Sequence, residues 1–185
     1  MIGVLGLQGD YAAHAAMLEK AGAASRTVKK PEQLEGLRGL VLPGGESTTL
    51  IKLMDLYGFW EPLRDFAVGG GALLGTCAGM ILLAHKVSNP EQRSLGLLDI
   101  DVERNSYGRQ IDSFEGRGAF GGKEIPMIFI RAPRLVRLGD GVEALGTCRG
   151  DTVAARQGRV LVASFHPELT DDLSLHRYFL SLAAD

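Results

Sequence analysis

A chain of 185 residues, 45% hydrophobic and 23% charged, can bury one genuine core and stands well away from the low-hydropathy, high-charge balance of disordered chains. With 20 Lys plus Arg against 22 Asp plus Glu the formal charge is -2, and no basic run could follow a phosphate backbone, which argues against nucleic-acid binding. No apolar stretch approaches membrane-spanning length, and Cys77 and Cys148 are too few for a disulfide framework and lack zinc-ligand spacing, so no membrane, no metal and no cofactor is expected, in a reducing cytoplasm.

The chain is expected to form a single domain over residues 1–185. Residues 2–7 are an apolar run without a basic n-region or a small-residue cleavage site, so they read as a strand of the mature fold and not as a signal peptide. Past Gly9, Tyr11, Ala15 and Leu18 recur at helical spacing, which makes the first unit strand then helix. A second apolar run, residues 39–42, stops at Pro43-Gly44-Gly45, and a helix through Leu50, Leu53 and Met54 follows, with Ser47 as its expected N-cap. A third, residues 72–74, stops at Gly75 before another helix-like segment. Near-continuous apolar strands separated by helices predict an open α/β fold: a mostly parallel sheet covered on both faces, with ligands beyond the carboxyl ends of its strands. Between residues 97 and 163 shorter alternating segments such as 99–103 and 127–130 read as added strands, some antiparallel, with Gly-rich turns expected around residues 116–122. Leu175, Phe179 and Leu182 give the apolar stripe of a last helix.

Three loops carry chemistry. Gly75-Thr76-Cys77-Ala78-Gly79 follows a buried strand and opens a helix, the arrangement of a nucleophile elbow, in which small neighbours let a strained turn expose a reactive side chain. At the helix start the local dipole favours a thiolate on Cys77, and the N–H of Ala78 can face a developing oxyanion. Alone, this motif is also compatible with a small core cysteine. The second loop, Ser164-Phe165-His166-Pro167-Glu168, follows the apolar run of residues 160–163, and in an extended segment Glu168 projects to the same side as His166 and can orient its imidazole. A lone His-Pro-Glu could be a surface turn; together with the elbow it completes a nucleophile, a base and an orienting carboxylate. The third loop, Pro43-Gly44-Gly45-Glu46-Ser47-Thr48, offers glycine N–H groups for a second oxyanion contact.

These loops, in this order, resemble the class I (triad) glutamine amidotransferase family. Gly6-Leu7-Gln8-Gly9, Glu103-Arg104-Asn105-Ser106-Tyr107-Gly108-Arg109-Gln110 and Phe129-Ile130-Arg131-Ala132-Pro133 are similar to the branch formed by glutaminase subunits of pyridoxal 5'-phosphate synthase, and this likeness runs across nearly the whole chain. The resemblance implies a flavodoxin-like fold, Cys77 as nucleophile, His166 as acid/base and Glu168 as its partner. It implies that Gly45, Glu46, Ser47, Arg104, Ile130 and Arg131 hold L-glutamine, that Gly44, Gly45 and Ala78 form the oxyanion hole, and that ammonia passes to a barrel-shaped synthase subunit, with Gln8 as a candidate contact. The partner would build pyridoxal 5'-phosphate from a pentose phosphate and a triose phosphate, and the glutaminase would be slow without it. Cys148 is expected to be inert, and His14, His85 and His176 to be packing or helix-surface residues. A cysteine hydrolase on a similar sheet, or a silent regulatory module, would keep parts of this pattern without glutaminase activity.

Overall fold

The computed structural model describes residues 1–104 and 113–184, so the expected segment 105–110 lies outside the described residues. In chain order the elements are β1 (Ile2–Leu5), α1 (Tyr11–Lys20), β2 (Ser25–Val28), β3 (Gly39–Leu42), α2 (Ser47–Tyr57), α3 (Trp60–Val68), β4 (Ala72–Thr76), α4 (Ala78–Leu83), β5 (Ala84–Ser88), β6 (Leu98–Glu103), β7 (Ser113–Phe120), β8 (Lys123–Ile130), β9 (Arg134–Leu138), β10 (Glu143–Cys148), β11 (Asp151–Gln157), β12 (Val160–Ala163) and α5 (Ser174–Ala184). Short 3-10 turns occupy Pro31–Leu34 and Pro167–Leu169.

Nine strands form one sheet in the order β2-β1-β3-β4-β12-β11-β10-β7-β8. The first five are parallel and reproduce the flavodoxin-like order 2-1-3-4-5, with β12 as the fifth strand; β11, β10, β7 and β8 extend it antiparallel. A smaller sheet, β5-β6-β9, flanks it. Every residue of β1, β3, β4 and β12 is buried, as a strand covered on both faces requires. One face packs Leu42, Leu50, Met54, Phe59, Leu63 and Met80 under α2, α3 and α4; the other packs Val4, Leu18, Val41, Phe165, Leu175 and Phe179 under α1 and α5. Each such fully buried Leu or Phe contributes about 1.5–3 kcal/mol.

The glycines expected to make turns around residues 116–122 divide into two kinds. Gly116 and Gly118 sit inside β7, which pairs with β8 along its whole length, and only Gly121 and Gly122 turn the hairpin, both at positive φ. A side chain at position 118 would put its Cβ 2.6 Å from the Thr147 carbonyl, so that glycine serves the close approach of β10 and not a turn.

Candidate active site

The carboxyl ends of β1, β3, β4 and β12 converge on one cleft. At the end of β4 the backbone of Cys77 is forced to φ 47°, a region that costs a non-glycine residue about 1–3 kcal/mol and persists only when the surroundings over-determine it. Those surroundings are the flanking glycines. A Cβ on Gly79 would lie 2.0 Å from the Leu42 carbonyl oxygen, and one on Gly75 would lie 2.6 Å from the Gly79 carbonyl, so the Gly-x-Cys-x-Gly spacing is a steric requirement of the turn. The Cys77 N–H donates to the Ala163 carbonyl at 2.9 Å, which ties the elbow to β12.

His166 follows β12 and is fixed by its own N–H, which donates to the Ile128 carbonyl at 2.8 Å. Its Nδ1 donates to Glu168 Oε1 at 2.7 Å, and both side chains are nearly sealed from solvent. Glu168 reaches it from the 3-10 turn Pro167–Leu169 and not from an extended segment, since the ring of Pro167 presets the first turn residue. With Nδ1 occupied, Nε2 is the nitrogen left to meet Cys77. Burial alone would discourage charge on His166, but its hydrogen bonds with Cys77 and Glu168 and the charge of both outweigh that and push its pKa up to about 10. These contacts favour the protonated ring in the cleft.

The cleft, about 300 Å³, is lined by Asp10, Gly45, Glu46, Ser47, Cys77, Ile81, Arg104, Ile130, Arg131 and His166. It thus brings Cys77 and His166 together with all six residues expected to hold substrate. Gly44 lies against the reacting pair: a Cβ there would come 2.5 Å from His166 Cε1 and 3.3 Å from Cys77 Cβ. Ala78 is buried at the start of α4, and Cys77 Sγ lies 3.9 Å from the Ile130 carbonyl oxygen. Arg131, like Cys77, has positive φ, at 44°. Arg104 donates to Thr48 Oγ1 at 3.3 Å and stands 4.0 Å from Glu46 Oε1.

One expectation changes here. Ser47 does not cap α2; Glu46 does, accepting the N–H groups of Thr48 at 2.9 Å and Thr49 at 2.7 Å. Slight burial raises the Glu46 pKa, but the bonds from Thr48 and Thr49 dominate and pull it down to about 2, because a carboxylate satisfies a helix start better than a hydroxyl. Ser47 Oγ instead donates to Gln92 Oε1 at 3.1 Å. Gln8, the candidate contact for the partner, accepts the Glu46 N–H at 3.1 Å and lies so close to Gly45 that a Cβ there would meet its amide at 2.2 Å. It therefore also shapes the glycine loop.

Sequence reasoning passed over Asp10 and Ile81, which line the cleft, and took His14 and His176 for packing or surface residues. His85 is indeed exposed, but His14 and His176 are both fully buried behind Glu168. His14 stands three residues after Tyr11 and four before Leu18, on the apolar stripe of α1, and that position is the signal that could have placed it inside. Among the described residues, Asp10, His166 and Glu168 present ligand atoms within 4.8 Å of one another.

Comparison with known proteins gives consistent results. Residues 4–184 match the SNO glutamine amidotransferase family. A pyridoxal 5'-phosphate synthase subunit PdxT from Geobacillus kaustophilus is 54% identical over 186 residues, covering 100% of this chain and 95% of that protein. Its counterpart of the same name from Deinococcus radiodurans is 51% identical over 191 residues, covering 100% of this chain and 97% of that one. A solved structure described as a glutamine amidotransferase superposes with a TM-score of 0.94 at 49% identity, over 100% of this chain and 99% of that one.

Proposed function

The chain belongs to the SNO glutamine amidotransferase family, and from that premise we propose that it hydrolyses L-glutamine to L-glutamate and ammonia as the glutaminase subunit of a pyridoxal 5'-phosphate synthase. The observation that carries this reading is the Cys77 elbow at positive φ lining one cleft with His166, whose Nδ1 is held by a buried Glu168 at 2.7 Å.

In this mechanism the Cys77 sulfur attacks the carboxamide carbon of glutamine. The resulting oxyanion is met by the N–H of Ala78 and by the Gly44-Gly45 loop, and His166 gives its proton to the departing ammonia. Water activated by His166 then hydrolyses the γ-glutamyl thioester and restores the thiol. Glu168 stabilises the imidazolium throughout without taking its proton. Arg104 and Arg131, on the cleft wall, supply donors suited to the α-carboxylate of the substrate.

The Gly44 carbonyl accepts the Asp10 N–H at 3.4 Å, a long bond that leaves the glycine peptide loosely held. Reorientation of that peptide when a barrel-shaped synthase subunit docks would complete the oxyanion hole only when ammonia has somewhere to go. Gln8, in contact with the same loop, is suited to couple docking to it. The test is glutamate release by the purified chain with and without that partner: release stimulated by the partner supports the reading, and release indifferent to it assigns the chain to another amidotransferase.

A further inference from the structure

Behind Glu168 lies a pair of histidines that the mechanism above does not use. His14, from α1, places Nδ1 3.0 Å from His176 Nε2, and its Nε2 lies 3.0 Å from Thr76 Oγ1 and 3.3 Å from Glu168 Oε2. Both rings are fully buried. Among the described residues, neither Glu168 Oε2 nor His176 Nδ1 has a hydrogen-bond partner.

This accounting selects one arrangement of protons. Burial holds both rings neutral: His14 is pushed well below its ordinary pKa by desolvation and by the neighbouring His176 and His166, and His176 falls to about 4 by desolvation, against the opposing pull of Asp172. If His14 carried its proton on Nδ1, His176 would have to carry its own on Nδ1, as a buried N–H without an acceptor. The bare Nε2 of His14 would then face a carboxylate oxygen, lone pair against lone pair. With both protons on Nε2, His176 donates to His14 and His14 donates to Thr76 Oγ1; the nitrogen left over, His176 Nδ1, is a bare acceptor, the cheaper group to leave unpaired. The same His14 N–H stands 3.3 Å from Glu168 Oε2, where its positive end steadies the carboxylate charge without a full hydrogen bond.

We propose that His14, fixed by His176, is a positioning residue: its Nε2–H ties Thr76, the residue before the nucleophile, to the second oxygen of the carboxylate that orients His166. A neutral donor suits this task. It steadies a fully buried carboxylate without cancelling the negative charge that the imidazolium requires, which a lysine or arginine in the same place would do. Two elements remote from each other in sequence, the elbow and the His-Pro-Glu turn, are thereby locked in one register from beneath.

The inference rests on the proposed glutaminase reading for its kinetic consequence but not for its structural one. Nitrogen-15 NMR of the histidine-labelled chain at neutral pH is expected to show His14 and His176 both neutral with the proton on Nε2; a His14 protonated on Nδ1, or charged, overturns the proposal whatever the activity. In the complex with the synthase partner, His14→Leu is expected to lower kcat about tenfold while KM for glutamine stays within about twofold. His14→Gln, whose amide N–H can stand where the ring N–H does, should recover most of that loss. His176→Leu, which removes the donor that sets the His14 tautomer, should give the same split at smaller size, and it decides the matter if leucine at position 14 prevents folding. Leu and Gln variants equally impaired, or a soluble Leu variant as fast as the wild type, overturn the proposal. A wild-type complex without Cys77-dependent glutamate release instead removes the glutaminase reading, leaving the tautomer measurement to judge the hydrogen-bond arrangement alone.

Discussion

The two cysteines sit in the two halves of the large sheet, are equally buried at 5% exposure, and have opposite surroundings. Cys77 follows a parallel strand, at positive φ, and shares its cleft with His166. Cys148 ends the antiparallel strand β10 and donates its S–H to the Arg117 carbonyl at 3.6 Å; burial pushes its thiol pKa up, with the Arg149 charge opposing. In the proposed mechanism, reactivity is thus set by what is brought to the sulfur and not by how much water reaches it. The parallel half brings it: its strand ends lie side by side, so loops distant in sequence meet there, whereas the antiparallel half ends in hairpins and supplies walls.

The comparison can be broken most severely at the base. His166→Asn should cut glutamate release by the complex about a thousandfold, since it removes general acid-base catalysis and the cation beside the sulfur together. Steady-state assay with the variant shown to be folded checks this.

Stability offers the next contrast. Gly79→Ala, in the parallel half, would drive a Cβ to 2.0 Å from the Leu42 carbonyl and should cost about 3 kcal/mol, whereas Gly121→Ala, at the β7–β8 hairpin with open space around it, should cost only about 1 kcal/mol for its positive φ. Urea denaturation of the two variants separates them.

A pH series probes the buried histidines. His176 has a folded pKa lowered from 6.5 to about 4, so the unfolded chain binds a proton that the folded chain refuses. Stability should therefore fall as pH drops from 6.5 toward 4, by on the order of 3 kcal/mol, and His176→Phe should flatten that slope. His166 acts in the opposite sense: its folded pKa is raised to about 10, so its contribution is fully present below pH 6.5 and is lost as pH rises toward 10. Denaturant midpoints measured between pH 4 and pH 10 test both signs.

The smallest effect is expected on the wall. Arg131→Ala should raise KM for glutamine about tenfold and leave kcat within a few-fold, the signature of a contact made equally in ground and transition states. A fall in kcat of the same size would mean that the antiparallel half takes part in the chemistry.

How much was legible followed the same division. The runs ending at Gly9, Pro43, Gly75 and Ser164 announced buried parallel strands, because a strand covered on both faces has no polar positions to blur its pattern, and the reactive loops follow directly from those ends. In the antiparallel half, Gly118 looked like a turn residue because close approach of a neighbouring strand and a tight turn ask for the same amino acid. Arg104 and Arg131 could be named only by resemblance, since nothing local separates an arginine that lines a cleft from one in solvent. The capping role of Glu46 and the partners of His14 were hidden for a related reason: a side chain's partner can lie in any element, and spacing reports only its own.

The most direct test of the central claim is to treat the complex with a chloroketone analogue of glutamine and map the adduct by peptide mass spectrometry. The account predicts one adduct, on Cys77, slowed by added glutamine, lost in Cys77→Ala and unaffected by Cys148→Ser. Labelling of Cys148 with inactivation, or glutaminase activity that survives Cys77→Ala, would contradict it.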